Sequence, residues 1–436
     1  MEVKPFKAFR FDPAVVGDVG SCIAPPYDCL SPIQQEQLYK KNEYNIVRII
    51  KGKTTPSDNP DNNQYTRAAD YLNTWLKKGV LKQDLAEAIY AYFQDFQLAG
   101  AQFRRFSFIA LAKLEEFGKT VKPHEQTFIE PKIDRLNLKR ATVAKFGLVF
   151  MLYEDEKKIA DQIVENTTKQ KTLIDFVDEQ DVRHRLFAIT AKSDIDAIAK
   201  MTLDKSCIIA DGHHRYETAL NYYKETANPA AAYQIIAFVN TRNEGLVILA
   251  THRLLGNLEN FQLERLLADL KEKFEISEYH FDSPQAKTDA KQKMLTQMTD
   301  EHDGGGNAFG IYIADNGFYV ATLENKGAMD STAAEKSDAW RSLDVAVLHK
   351  LILEELLGIN EEKLAAGTNI EYIKGTSNAV DESIAAVDKG QRQAAFFMNP
   401  IRIEQLKMVT DAGERMPQKS TYFYPKIYTG LTINKL

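Results

Sequence analysis

Cysteine is scarce in this chain: Cys22, Cys29 and Cys207 are the only three in 436 residues. An odd number at scattered positions excludes a disulfide framework and a paired zinc signature, and fits a reducing compartment. Long apolar runs are missing too, so no segment reads as a membrane span. The start, Met1 to Arg10, has neither an apolar h-region nor a small-residue cleavage site, and a soluble cytoplasmic protein is expected. Nor is there an excess of positive charge. Lys and Arg total 55 against 61 Asp and Glu, a net charge of -6, with no long block of either sign. That balance counts against a protein that coats a nucleic-acid duplex. The expected partner is a small-molecule substrate, with neither nucleic acid nor membrane, and the oligomeric state is left open. Internal repeats and low-complexity tracts are absent as well.

What is present is ample core material, 44% hydrophobic against 27% charged residues. A chain of this size is expected to divide into two or three domains. Periodicity reads as mixed α/β throughout. Ser31-Pro32 starts a helix to about Lys41, and Tyr65 to Lys78 carries a helical apolar stripe that stops at Gly79. Ile89–Gln97 and Phe106–Leu114 read as strands of a hairpin across Gly100. Further strands are expected at 146–153, 183–190 and 207–210, the last running into a helix from about Arg215. Tyr233–Asn240 and Leu246–Ala250 read as a strand pair. Beyond about 255 the texture changes, which divides the chain into 1–255 and 256–436. The second part holds helical patterns at 262–274, 283–298 and 343–357 and strands near 275–281, 309–314 and 318–323.

One segment concentrates chemistry: Ala210-Asp211-Gly212-His213-His214-Arg215-Tyr216. A strand that ends in Asp-Gly and turns straight into a helix presents free backbone N–H groups, and these with the helix dipole favour an anion, phosphate above all. Gly212 permits close approach because it has no Cβ. Arg215 has the fork geometry for phosphate oxygens, and His213 and His214 add donors that charge easily near neutral pH. Three such side chains in one turn repel one another unless an anion joins them. The bland alternative is a tight turn whose histidines satisfy nearby carbonyls.

Other segments are more ambiguous. His124-Glu125-Gln126-Thr127, followed by Asp134-Arg135, sets a carboxylate beside an imidazole, which is general-base chemistry. On the residues alone it fits a solvated surface loop better. Ala24-Pro25-Pro26-Tyr27-Asp28 is a rigid turn whose Asp28 either lines a site or coordinates Mg²⁺, or is plain turn chemistry. The tail from Met416 to Lys426 joins Lys419, Ser420 and Thr421 to an aromatic run, and reads equally as a phosphate-closing segment or a final strand. His184, His252 and His349 sit in apolar stretches as core histidines.

These motifs resemble those of a bacterial and archaeal family of unknown function, the DUF1015 proteins. The resemblance runs through residues 24–28, 124–127, 134–136, 211–215 and the 416–430 tail. The Asp-Gly-His-His-Arg turn is also similar, more distantly, to that of the ParB/sulfiredoxin superfamily, where a basic turn at a helix start holds the phosphates of ATP, ADP or CTP. Within it the free serine kinases carry the same turn and an upstream His-Glu pair. The resemblance implies a ParB/sulfiredoxin-like phosphate-binding core with N-terminal strand elaborations and a C-terminal α/β domain. It implies phosphate contacts from Gly212, His213, His214 and Arg215; Arg135, Lys419 and Ser420 are expected beside them as further contacts. Glu125 is then the base beside His124; for the chemistry as a whole, Mg²⁺ is expected on Asp211 or Asp28. About eighty-five residues separate the His-Glu pair from Asp211, more than the compact kinases use, so the strands between them are insertions.

The expected activity is phosphoryl transfer between a nucleotide (ATP or ADP) or pyrophosphate and a small hydroxylated metabolite, free serine or phosphoserine first, in either direction. Two rivals stand beside it. One is a nucleotide-gated interaction protein without metabolite chemistry. The other is a metallohydrolase using His213, His214 and a distant carboxylate, although adjacent histidines project in different directions.

Overall fold

The computed structural model describes residues 1–126, 129–259, 261–314, 316–325 and 327–436. Local sequence signals fix the first long helix, α1 (Pro32–Lys41). Ser31 Oγ accepts from the Gln34 amide at 3.2 Å and Gln34 Oε1 accepts from the Ser31 amide at 2.9 Å, a reciprocal capping box. The second, α2 (Gln64–Lys77), is capped in the same manner by Asn63 and Thr66 and buries Ala68, Leu72 and Trp75.

The chain divides into two units. The first comprises Met1–Pro123, Thr127–Val247 and Pro425–Leu436; the second comprises His124–Gln126 and Ile248–Tyr424. In the first unit the described strands β1 (Val3–Lys4), β2 (Ile89–Leu98), β3 (Ala101–Lys113), β4 (Val121–Pro123), β5 (Val149–Tyr153), β6 (Ile174–Val177), β7 (Arg183–Ile189), β8 (Cys207–Asp211) and β9 (Tyr233–Asn240) form one mixed sheet. Its order is β4-β8-β5-β9-β3-β2-β7-β6, with β1 added on β3. β2 and β3 make the expected hairpin, turning at Ala99 and Gly100, both with positive φ. The sheet packs its Ile89, Phe108, Val149, Ile236 and Phe238 with Tyr216 and Ala219 of the helix α4 (His213–Thr226). A second cluster gathers Leu38, Ile46, Ile50, Leu72 and Trp75 with Leu138 of α3 (Ile129–Thr142).

Two expectations change here. The segments 233–240 and 246–250 do not pair with each other. β9 lies between β5, in parallel, and β3, antiparallel. A strand buried on nearly every residue takes both neighbours from distant sequence and leaves no edge for a hairpin partner. The helix after β8 begins at His213, two residues before the expected Arg215, because Gly212 at φ +92° already completes the turn.

The second unit has a six-stranded antiparallel sheet. Its strands are β10 (Thr251–Leu255), β11 (Phe274–His280), β12 (Ala308–Tyr312), β13 (Gly317–Leu323), β14 (Ile370–Lys374) and β15 (Ala394–Phe397). They run in the order β11-β13-β12-β15-β10-β14. The helices α5 (Pro284–Asp303) and α6 (Ala379–Asp388) cover it with Met294, Met298, Ile384 and Val387. The helix expected over 343–357 starts as one α-turn, Asp344–Val347, and continues with π-helical spacing over Leu348–Leu356. Among the described residues no helix is long and apolar enough to cross a membrane.

Candidate functional site

β8 delivers Asp211 to the helix α4 through a register shift. Ile209 pairs with Met151 but Asp211 pairs with Phe150, so Ala210 is the extra residue of a bulge. Bulges re-aim the side chain that follows them. Gly212, which has no side chain to bond the first amides, then caps α4 in the left-handed conformation.

The Asp211 carboxylate, 21% exposed, is gripped from both sides. Arg215 Nη2 donates to Oδ2 at 2.6 Å and Lys426 Nζ donates to Oδ1 at 3.0 Å. Burial alone would raise the Asp211 pKa; the charges of Lys426 and Arg215 outweigh it and hold the carboxyl well below its usual range. The field of Asp211 also reaches Arg105, which is buried and bonded to Gln94 and the Pro425 carbonyl. One carboxylate thus stands among three cations, and the surplus charge of the site is positive.

Arg215 itself is nearly buried. Its bidentate capacity is committed to Asp211 and to the Leu148 carbonyl. Two glycines make room for it. A Cβ on Gly212 would stand 3.0 Å from its Cζ and Nε, and a Cβ on Gly147 would stand 3.2 Å from its Cδ. Gly212 therefore serves the approach of a guanidinium as well as the turn. His213 is buried and His214 half-buried.

Two more of the motifs meet in this unit. Arg135 donates from Nη1 to the Ile50 carbonyl at 2.7 Å, pairs with Asp134, and lays its guanidinium 3.8 Å from the centre of the Tyr27 ring. Asp134 also accepts from Tyr65 at 2.9 Å. Asp28 is exposed on the short turn Tyr27–Cys29, and its charge is felt by Arg215 and Lys51. Arg135 and Arg215 line one cleft together with Tyr27.

Within the second unit, the His-Glu pair lies against the tail. His124 is buried, with Nε2 2.8 Å from Thr421 Oγ1, and its carbonyl accepts from the Met416 amide at 2.9 Å. Glu125 bridges to Met416 and its Oε1 accepts from the Lys419 amide at 3.0 Å. Lys419 is exposed at φ +56°, and the buried Ser420 hydroxyl donates to the Pro417 carbonyl. Thr127 lies outside the described residues. The core histidines are as expected: His184 is held between Asp178 and Tyr92, and His252 accepts from the Met398 amide.

Sequence reading missed Gly147 and Arg105, and placed Lys426 in the tail segment without its partner. Lys426 is 215 residues from its partner Asp211, and no spacing rule connects them.

The model of a protein family described as a protein of unknown function, DUF1015, matches residues 3–346. The chain belongs to the DUF1015 family. No curated protein matches it. Among solved structures, a free serine kinase variant in complex with AMP aligns over 70% of this chain and 84% of its own, at 13% identity and a TM-score of 0.34. A conserved hypothetical protein from Pyrococcus furiosus aligns over 72% and 95%, at 13% identity and TM-score 0.32. SbnI from Staphylococcus aureus, with its C-terminus truncated, aligns over 75% and 87%, at 10% identity and TM-score 0.33. Likeness at this distance assigns no role to any residue.

Proposed function

We propose that this family member binds a nucleotide or pyrophosphate at the 211–215 turn of a ParB/sulfiredoxin-like core. There it transfers a phosphoryl group to or from a small hydroxylated metabolite, free serine or phosphoserine first. The observation that carries the reading is the glycine turn into α4 at Gly212, set beside a carboxylate that two cations neutralise. The amides of the turn, His213, His214 and Lys426 would meet the phosphates. Arg215 would hold the turn from behind and keep Asp211 ionised. Arg135, Lys419 and Ser420 remain candidate contacts.

Glu125 is the proposed base. As the hydroxyl oxygen bonds to the terminal phosphorus, its proton passes to the carboxylate. The bond from that phosphorus to the bridging oxygen breaks, and the charge left on the departing phosphate falls to the positive turn. The amide of Lys419 on Glu125 orients the carboxylate and leaves its other oxygen to receive the proton.

Mg²⁺ fits less well as a resident ion. Among the described residues no three His, Cys, Asp or Glu side chains converge on one point. Asp211 has both oxygens occupied by cations, which leaves Asp28 as the candidate carboxylate for an ion that arrives with the phosphates. No step above depends on it.

The experiment is a thermal-shift and calorimetric screen of ATP, ADP, pyrophosphate, serine and phosphoserine, each with and without Mg²⁺. A rise in Tm that grows with the logarithm of nucleotide or pyrophosphate concentration is expected. If none of these phosphates shifts Tm, the reading fails.

A further inference from the structure

Arg215 also lines a small cleft of about 60 Å³ within the first unit, bounded further by Tyr27, Arg135, Lys139, Lys145, Thr218 and Gln234. That is room for a few waters or one small ion, not for a nucleotide. Its lining is unusual in charge. Lys139 and Lys145 are both buried, at 9% and 2% exposure. Lys145 donates to the Ala230 carbonyl at 3.0 Å. Neither lysine pairs with a carboxylate among the described residues, and no carboxylate lines the cleft. Asp134 and Asp211 are engaged by Arg135 and Arg215.

The same walls hold polar atoms without a hydrogen-bond partner: Tyr27 Oη, Arg215 Nε, Thr218 Oγ1 and Gln234 Oε1. Buried polar groups are nearly always satisfied, by protein, water or ligand. Four in one cleft, beside two buried lysines that meet no carboxylate among the described residues, describe a ligand's outline. Three of these four can donate to an anion. A flip of the Gln234 amide, whose two ends look alike, turns its NH₂ inward as a fourth donor.

We infer that this cleft binds one small oxyanion of the phosphate class, held by Lys139, Lys145 and Thr218. The inference stands apart from the nucleotide reading, which concerns the amide face of the turn. The anion is free phosphate or the phosphoryl head of a small metabolite. Empty, the cleft penalises charge: burial brings Lys139 down to about 7 and Lys145 to about 6, the latter helped by Lys139 and Lys4. A dianion reverses that penalty and recharges both lysines. The other titratable groups facing them keep their state near pH 8. Arg215, beside Asp211, stays charged, and Tyr27, raised to about 12 by burial, stays neutral.

The test is titration calorimetry of the full chain with inorganic phosphate at pH 8, in two buffers of different ionisation heat. Saturable binding with net proton uptake is expected, since the lysines gain protons when the anion enters. Affinity should fall as pH rises further. Lys139→Met and Lys145→Met should each weaken binding by about tenfold or more, while His214→Ala on the turn should not. O-phosphoserine that competes with phosphate identifies the phosphoryl head of a metabolite; phosphate without such competition identifies the free ion. No saturable heat, binding without proton uptake, or binding lost in His214→Ala but kept in Lys139→Met would overturn the inference. Proton uptake is read on the wild-type chain, so a variant that misfolds does not remove the test. Nucleotide binding retained in Lys139→Met separates this cleft from the turn.

Discussion

Arg215 folds back over Gly212 so closely that a Cβ on the glycine would stand 3.0 Å from the guanidinium carbon. The turn and its arginine are thus one packed unit. Gly212→Ala meets that contact and a φ of +92° that L-residues rarely adopt. It should destabilise the first unit by about 1–3 kcal/mol in urea unfolding, and weaken nucleotide binding in the fraction that stays folded. Wild-type stability in Gly212→Ala would show that the turn tolerates what the geometry forbids.

Asp211 ties the same turn to acid stability. Its folded pKa lies below the unfolded one, so its contribution is complete above about pH 4 and is lost as pH falls through the folded value. Asp211→Asn strands Arg215 and Lys426 without a counter-charge. A cost of about 2–3 kcal/mol at pH 7 is expected, below the fully buried range because the carboxylate is partly exposed. Urea melts from pH 2 to 7 should show a shallower acid limb in the variant.

The two buried lysines tilt stability in the opposite sense. Their folded pKa values, about 7 and about 6, lie below the unfolded value near 10.4. Between those limits the unfolded chain holds more protons, so stability without phosphate should rise with pH from about 7 to 10. Lys139→Met should stabilise the chain at pH 7 by on the order of 1–4 kcal/mol and flatten that rise. A variant that is less stable than wild type at pH 7 would mean that Lys139 has a counter-charge in solution.

Much of the fold was legible in local signals. The Ser31-Pro32 helix start and the Gly100 hairpin are written in adjacent residues, and both form as read. The pairing of β9 was not legible, because both its neighbours come from far along the chain. The site divides in the same manner. The Asp-Gly turn into a helix is a local pattern, whereas the inward direction of Arg215 depends on Gly147 and Leu148, which no motif marks. Lys139 and Lys145 read as ordinary charged residues in sequence; only tertiary burial sets them apart.

Lys426 ends the tail segment read as phosphate-closing, and its pairing with Asp211 is what the sequence did not show. Lys426→Met removes one of the two cations on Asp211 and a charge at the proposed phosphate site. Nucleotide affinity should fall by about 10–100-fold, the scale of one charge-assisted hydrogen bond. Unchanged affinity in a folded variant would place the phosphates elsewhere.

The central claim is phosphoryl transfer with Glu125 as base, and one comparison addresses it directly. Phosphorus NMR would follow wild-type protein and Glu125→Gln with serine and ATP or pyrophosphate, and in the reverse direction with phosphoserine. Glutamine keeps the shape and can still accept the Lys419 amide, but it takes no proton. The account predicts transfer by wild type, a rate about 10²–10⁴-fold lower in the variant, and nearly equal nucleotide affinity in both. A wild-type protein that binds nucleotide yet transfers nothing to any small hydroxyl acceptor would contradict the claim. So would a Glu125→Gln variant that runs at the wild-type rate.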